Sequence, residues 1–532
     1  MASTFSGFYV GRSGIAAARA NLQITGQNMT NVNTPGYTRQ RVDTYAVGSS
    51  GNNMRYSNAS DLAVGEGVET GGVSQLRDPY LDIRYRTENA KAGKTGTELS
   101  ALNDLETVFD ETKKNGINTQ FADLKKQLQS FAGSPSDSNL ENIVKNSSLL
   151  LTKAFNNAAQ QIATIRKQQV DTLQNNSIEK VNNLLKNISQ LNAQIKSADV
   201  SGTPALELMD RRNSMLDELS QYANIEVTST MIPVGAGRQV AELNVNLVSS
   251  NGNKFNLIKD NQHNQIGLQK DNSGTLKDPI TMTLKTPSGN DVLANDGVSA
   301  LSNSDVTGGV FGGSLAMLND KGEYDSAGHA ERGIGYYQNI LDKLANEFAS
   351  AMNKANSTNI DQNNKPLFAS SDSTNSTITA ANISLSSGWN QATGPYFTVT
   401  KQDPVTGVAS STPGDNILAA IKKLSEEKTF TTNPDNSAGG NTLFTSSIDS
   451  FMAKISGTLA LQVQDITRQD STYNATLTDI DTQKTSISSV DVNEEGINLI
   501  MYNQALTASS RFMTTMDEAM DTIINNMGRI GR

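Results

Sequence analysis

Residues that could act as nucleophiles, bases or metal ligands are few and scattered in this chain. It has no cysteine and two histidines, His263 and His329, which excludes thiol catalysis, disulfides and cysteine-ligated zinc. Gly93-Lys94-Thr95 has the ending of a phosphate-binding loop, yet Glu88 stands in the place of its first glycine. Gly65-Glu66-Gly67 lacks the third glycine of a dinucleotide fingerprint, with Thr70 there instead. Gly11-Arg12-Ser13 and Gly312-Gly313-Ser314 fail the nucleophile-elbow pattern at Ile15 and Ala316. Asp361-Gln362-Asn363-Asn364 opens like a calcium loop, but Pro366 replaces the required glycine and no glutamate follows at the twelfth place. No motif for catalysis, cofactor or metal stands complete, and none of the three is expected.

The composition points the same way. The chain has 532 residues, 44 basic against 54 acidic, a net charge of −10, and 18% charged residues overall. It offers no basic patch for nucleic acid, and no apolar run approaches the ~20 residues of a membrane span. Hydrophobic residues make up 36% and aromatic residues 5%, which favours long polar helices and turn-rich strands over one large enzyme core.

The elements with the strongest pattern are the two ends. Residues 4–33 read as one helix about 45 Å long, in which Phe8, Gly11, Ile15, Ala18, Leu22, Thr25, Met29 and Val32 recur at the three-and-four steps of a coiled-coil seam. Pro35-Gly36 ends it, in the two central positions of a type II turn. At the other end, Asp491 and Glu494 have capping-box spacing ahead of Leu499, Tyr502, Leu506, Ser509, Met513, Met516, Met520, Ile523 and Met527, with Gly528 as a C-cap. Five of the fifteen methionines fall in the last 32 residues, suiting an interface that must fit irregular neighbours. Two seams on two termini predict an antiparallel pair. Residues 1–42 hold four arginines and no acid, so Arg12 is expected near Asp517 or Asp521. A narrow stripe buries little, so the arms are expected to be disordered in the free monomer and to order on assembly.

Between the arms, helices are expected at 97–131, 139–198 and 205–222, separated by Gly133-Ser134-Pro135 and Gly202-Thr203-Pro204. Alternation at Leu243, Val245 and Leu247 before Asn251-Gly252 predicts strands joined by a type I′ turn, and Ile280–Leu284 predicts a second hairpin about Pro287-Ser288-Gly289. Helix returns at 326–356 and 446–485, with a strand near Tyr396–Thr400, a turn at Asp403-Pro404 and a short helix at 415–427 in between. The fold class is therefore multidomain and mainly α: coiled-coil terminal arms (1–33 with 491–532) and an elongated helical bundle (34–225, 306–360 and 436–490). Inserted β-rich outer domains occupy 226–305 and 361–435.

The stretch Gln27-Asn28-Met29-Thr30-Asn31-Val32-Asn33-Thr34-Pro35-Gly36-Tyr37 resembles the N-terminal signature of bacterial flagellar axial proteins. Thr38-Arg39-Gln40 narrows the resemblance to the hook-associated protein 1 family, the first hook–filament junction proteins. Asn493-Glu494-Glu495, Leu499-Ile500, Gln504-Ala505, Ser510-Arg511 and Met516-Asp517 are similar to that family's last helix, with Leu506 where an aromatic residue is usual. Leu208-Met209-Asp210-Arg211-Arg212, Leu216–Ser220 and Gly308–Gly313 resemble its helical domain.

The resemblance implies an extracellular part of the flagellum, exported unfolded by the type III route without a cleaved signal. It implies assembly as a ring of like subunits between hook protein and second junction protein, and an export chaperone that engages the C-terminal helix. The assembly residues would be the seam itself. A hook- or rod-type axial protein and a secreted coiled-coil adhesin are the alternative readings.

Overall fold

The computed structural model describes residues 6–47, 65, 67–110, 116–203, 205–235, 238–325, 331–356, 365–372, 374–401, 408–433 and 439–526. Its elements begin with α1 (Ser6–Thr30), β1 (Gln40–Val47), β2 (Gly67–Gln75), α2 (Pro79–Val108) and α3 (Ile117–Gly133). α4 (Ser138–Asp171) passes through a π-helical turn at Thr172–Ile178 into α5 (Glu179–Ser201), and α6 (Leu206–Tyr222) follows. Then come β3 (Ile225–Gly235), β4 (Arg238–Val248), β5 (Lys254–Lys259), β6 (Gln262–His263), β7 (Gln265–Leu268) and β8 (Met282–Lys285). α7 (Gly309–Asn319), α8 (Ile334–Asn356), β9 (Phe368–Ser370), β10 (Ile383–Leu385), α9 (Ser387–Gln391) and α10 (Asp415–Ser425) lead to β11 (Lys428–Thr431) and β12 (Thr442–Ser446). α11 (Phe451–Ser488) and α12 (Val492–Asp521) close the chain, with a second π-helical turn at Thr522–Asn526. The protein is mainly α-helical.

Local chemistry sets the helix ends. Asp78, Asp137 and Asp491 cap α2, α4 and α12 by accepting backbone N–H bonds from the first turn. Gly202, at φ +80°, stops α5 in the left-handed conformation. The stretch expected as one helix at 97–131 is two: α2 starts much earlier, where Asp78-Pro79 supplies a cap and a first-turn proline, and ends at Val108. The rod expected at 139–198 is continuous from Ser138 to Ser201, about 95 Å, but eased by the π turn.

The sheet order β3-β4-β5-β6 is antiparallel throughout, and β7 pairs β8 separately. The loop through Asn251-Gly252 joins β4 to β5, with Gly252 at φ +87°, yet Asp260 is the one described non-glycine residue with positive φ. Asn251 is therefore not left-handed, and the turn is not type I′. The strand expected near Tyr396–Thr400 is absent. Its backbone donors go instead to side chains: the Tyr396 and Phe397 N–H groups to Glu141 Oε1 at 2.9 and 3.0 Å, and Thr398 N–H to Asn356 Oδ1 at 2.6 Å. The strands of this region are the short ladders β9–β10 and β11–β12. The turn at Asp403-Pro404, residues 326–330 of the helix expected at 326–356, His329 and Asp361–Asn364 lie outside the described residues, and residues 331–333 are not helical, so that helix starts at Ile334.

One hydrophobic core runs through bundle and sheet, from Leu102 and Phe121 through Phe155 and Ile188 to Leu243, Val245 and Phe255. Asn182 stitches α5 to β7 through both its amide atoms, bonding the Ile266 N–H and C=O at 2.9 Å each. Aromatic edges interlock across α3, α4, α8 and β9: Phe121 against Phe155 at 5.9 Å and Phe348 at 5.1 Å, then Phe348 against Phe368 at 4.8 Å.

Candidate assembly interface

The two termini pair side by side. A Cβ built on Gly7 would come 2.5 Å from Met516 Cε, one on Gly11 2.5 Å from Met513 Sδ, and one on Gly14 2.9 Å from Ser509 Oγ. As the α1 number rises the α12 number falls, so the helices are antiparallel. Gly7, Gly11 and Gly14 form a shallow trough in which the flexible Met516 and Met513 side chains lie, and a side chain at Gly7 or Gly11 would make those methionines shift.

Of the expected seam, Phe8, Ile15, Leu22 and Met29 are half-buried on α1, and Val32 is half-buried just beyond its end. Tyr502, Leu506, Met513, Met516 and Met520 are half-buried along α12. Leu499 and Ile523, expected in the same stripe, are 37% and 48% exposed in the single subunit. The register puts Ile523 past the first described residues of α1. Met527 and Gly528 lie outside the described residues. The other side of α1 carries the β1–β2 hairpin, with Ser13 Oγ accepting the Val68 N–H at 3.2 Å.

The expected pairing of Arg12 with Asp517 or Asp521 does not form. The register sets Arg12 level with residue 511, and its guanidinium lies 5.9 Å over the Tyr9 ring instead. The charge contact between the ends is made by Arg39, whose Nε reaches Glu495 Oε1 and whose Nη2 reaches Glu494 Oε1, both at 2.7 Å. Glu494 is thereby drawn out of the expected capping box, leaving Asp491 to cap alone.

Arg39 belongs to an elbow between arm and bundle. Pro35 and Gly36 form the type II turn: Tyr37 N–H bonds Thr34 C=O at 3.2 Å, and Gly36 takes φ +77°. Around it Asn28, 1% exposed, uses its whole amide. Its Oδ1 accepts from Tyr37 OH at 2.9 Å and Gln40 N–H at 3.0 Å, while its Nδ2 donates to Gln40 C=O at 2.9 Å and Glu495 Oε1 at 3.3 Å. Asp210 Oδ2 accepts the Thr38 N–H at 3.0 Å. Burial, then the carboxylates of Glu207, Asp210 and Glu495, push the Tyr37 phenol up to about 12, so it stays a donor. Burial pushes the Arg212 guanidinium down to about 10.

A second ionic node lies below the elbow. Lys484 of α11 bonds Asp217 of α6 at 2.5 Å and Asp82 of α2 at 3.2 Å; Arg86 meets Asp217 at 2.7 Å, and Arg77 meets Asp82 at 2.5 Å. Burial raises the Asp82 carboxyl, but the Arg77 hydrogen bond and the charges of Arg77, Lys484 and Arg86 outweigh it, so Asp82 titrates below its ordinary value. Asn28, Gln40, Glu495, Asp210 and this node were not readable as a site. Asn28 meets Glu495 across 467 residues and Thr38 meets Asp210 across 172, and no spacing rule joins such pairs.

Among the described residues no group of three or more His, Asp or Glu is placed to hold a metal ion, and no helix is long and apolar enough to cross a membrane. Lys94 of the phosphate-loop look-alike is inside α2, paired with Glu331, and His263 Nδ1 lies 3.2 Å from Ser189 Oγ.

Fold and interface together define a mainly helical protein whose first and last described α-helices pair antiparallel. The family model for the flagellar hook-associated protein FlgK helical domain matches residues 102–368, half of the chain, and the chain belongs to that family, the flagellar hook-associated protein 1 junction proteins. Flagellar hook-associated protein 1 of Bacillus subtilis is 25% identical over 556 aligned positions, covering 100% of both chains. The Escherichia coli protein of that name is 25% identical over 221, covering 41% of this chain and 38% of its own length. The solved structure of the flagellar hook junction protein FlgK from Burkholderia pseudomallei superposes with a TM-score of 0.53 at 15% identity, over 76% of this chain and 100% of the other, and speaks for the fold alone.

Proposed function

We propose that this chain joins the flagellar hook to the filament as a ring of like subunits, contacting hook protein on one side and the second junction protein on the other. The observation that carries this reading is the antiparallel seam of α1 and α12. It brings both ends of the chain into one thin arm that the body itself does little to bury. On α12, Glu495 is the sole fully buried residue among those described. In the assembly the arms (1–33 and 491–532) line the inner tube, the bundle (34–225, 306–360 and 436–490) surrounds them, and residues 226–305 and 361–435 face outward.

The subunit travels to that place through the flagellar export channel as an unfolded chain, held beforehand by a chaperone on its last helix. Val492, Ile497, Leu499, Ile500, Met501 and Phe512 are all exposed on α12 and offer such a partner an apolar grip. The arms order fully when neighbours cover them. Replacing Met516 with Asp places a charge in the glycine trough and is expected to abolish incorporation while the body stays folded. In a strain carrying only that variant, electron microscopy should show bare hooks, with filament protein in the medium. Normal filaments on the Met516→Asp strain would overturn the proposal.

A further inference from the structure

A cavity of 610 Å³ lies between α2, α7 with the segment joining it to α8, and α11, and none of its lining residues belongs to the elbow. Leu102, Met317 and Ile466 give it an apolar floor, and Lys94, Glu98 and Glu331 line its polar side. Glu98 is 7% exposed, and its nearest cation is Lys94 Nζ, no closer than 3.6 Å. That same ammonium donates to Glu331 at 3.3 Å.

The other charges bordering the cavity are already matched. Lys91 pairs with Glu88 at 2.8 Å, Arg332 Nε with Glu323 at 3.1 Å, and Asp465 with Arg468. Asp470 accepts from Thr95 Oγ1 at 2.9 Å. Two carboxylates therefore share one ammonium at the wall of a cavity. A buried carboxylate so loosely matched is costly, and a cavity with an apolar floor and a few convergent polar groups is the usual form of a ligand site.

We propose that this cavity binds a small organic cation, an alkylguanidinium or alkylammonium, with its charged end beside Glu98 and Glu331 and its stem on Leu102, Met317 and Ile466. The site is independent of the seam and the elbow. Burial, with the nearby Glu331 and Asp320 and against Lys94, holds the empty Glu98 carboxyl at about 7. An incoming cation favours the ionised form, so binding below that pH releases a proton. The groups that set this balance are Lys94 on α2 and Asp320 and Glu331 between α7 and α8, while Lys91, Arg332 and Asp465 also line the cavity.

The probe is butylguanidinium, one guanidinium on an apolar four-carbon stem, titrated calorimetrically into the full chain at pH 6 and pH 8. Saturable binding is expected, about tenfold tighter at pH 8. Glu98→Gln should weaken it at least tenfold and remove the pH dependence. Glu331→Gln, on the rim and half in solvent, should weaken it severalfold with the fold intact. Absence of saturable heat in the folded wild type, or equal affinity in wild type and both variants, overturns the proposal. Two sources carry this chemistry: a free small amine, and a Lys or Arg side chain of a second copy. Butylguanidinium that leaves incorporation of subunits unchanged identifies the first, and butylguanidinium that blocks it identifies the second.

Discussion

Helices α8 and α12 are both long, amphipathic and seamed, yet the chain treats them differently. Fifteen of the 23 residues of α8 are buried, including Tyr337, Leu344 and Phe348, each at 0% exposure. α12 has 30 residues, of which only Glu495 is buried, while Ile497, Ile500 and Met501 stand 67%, 59% and 50% exposed. The stability of α8 is an intramolecular matter. That of α12 rests on one narrow contact with α1 and on an ionic elbow, so its remaining apolar surface awaits something outside the subunit.

That contrast breaks first in the body. Phe348→Ala removes a ring packed on Phe121, Phe155 and Phe368 and is expected to cost about 3–5 kcal/mol in thermal or denaturant unfolding. The equivalent truncation in the arm, Leu506→Ala, should cost under about 1 kcal/mol by the same measurement, because the site is already half in water. A cost as large as that of Phe348→Ala would erase the distinction between the regions.

At the elbow, Asn28→Ala strands the Gln40 N–H and C=O and the Tyr37 hydroxyl, and should cost about 2–3 kcal/mol. Hydrogen exchange is the readout: protection should fall at Gln40 and along α1, and stay unchanged in α8. Smaller still is the effect of acid and base. Asp82 titrates below its ordinary 3.8, so its contribution is present above that value and lost as pH falls through the depressed one. Glu98 has the opposite sign: raised from 4.5 to about 7, it favours the folded body below pH 4.5 and loses that contribution as pH rises through 7. Glu98→Gln should therefore flatten the stability profile between pH 5 and 8 by on the order of 1–2 kcal/mol, without changing exchange in the arms.

The seams were legible because burial imposes a period: Phe8 to Val32 and Tyr502 to Met520 follow it, and so do Tyr337, Leu341, Leu344, Phe348 and Met352 in α8. The turn at Pro35-Gly36 was legible because those two residue types answer to one backbone geometry. Periodicity carries the stripe on to Leu499 and Ile523, which stand exposed in the single subunit. It missed the elbow because hydrogen bonds from Asn28 obey no spacing, and it read a strand at Tyr396–Thr400 because nothing local announces that Glu141 and Asn356 will claim those backbone donors. Paired charges mislead in the same way: Arg12 had the right sign for Asp517 and the wrong level, while Arg39 lay within reach of Glu494 and Glu495.

The antiparallel pairing of the chain's ends has a direct test, because the protein contains no cysteine of its own. The Cβ position of Gly14 lies 3.6 Å from Ser509 Cβ, within the span of a disulfide. The double variant Gly14→Cys, Ser509→Cys should close a disulfide under mild oxidation, seen as a reversible shift in non-reducing electrophoresis, while Gly14→Cys with Asp521→Cys should not. A control pair that links as readily as the seam pair, or a seam pair that stays reduced, would contradict the account.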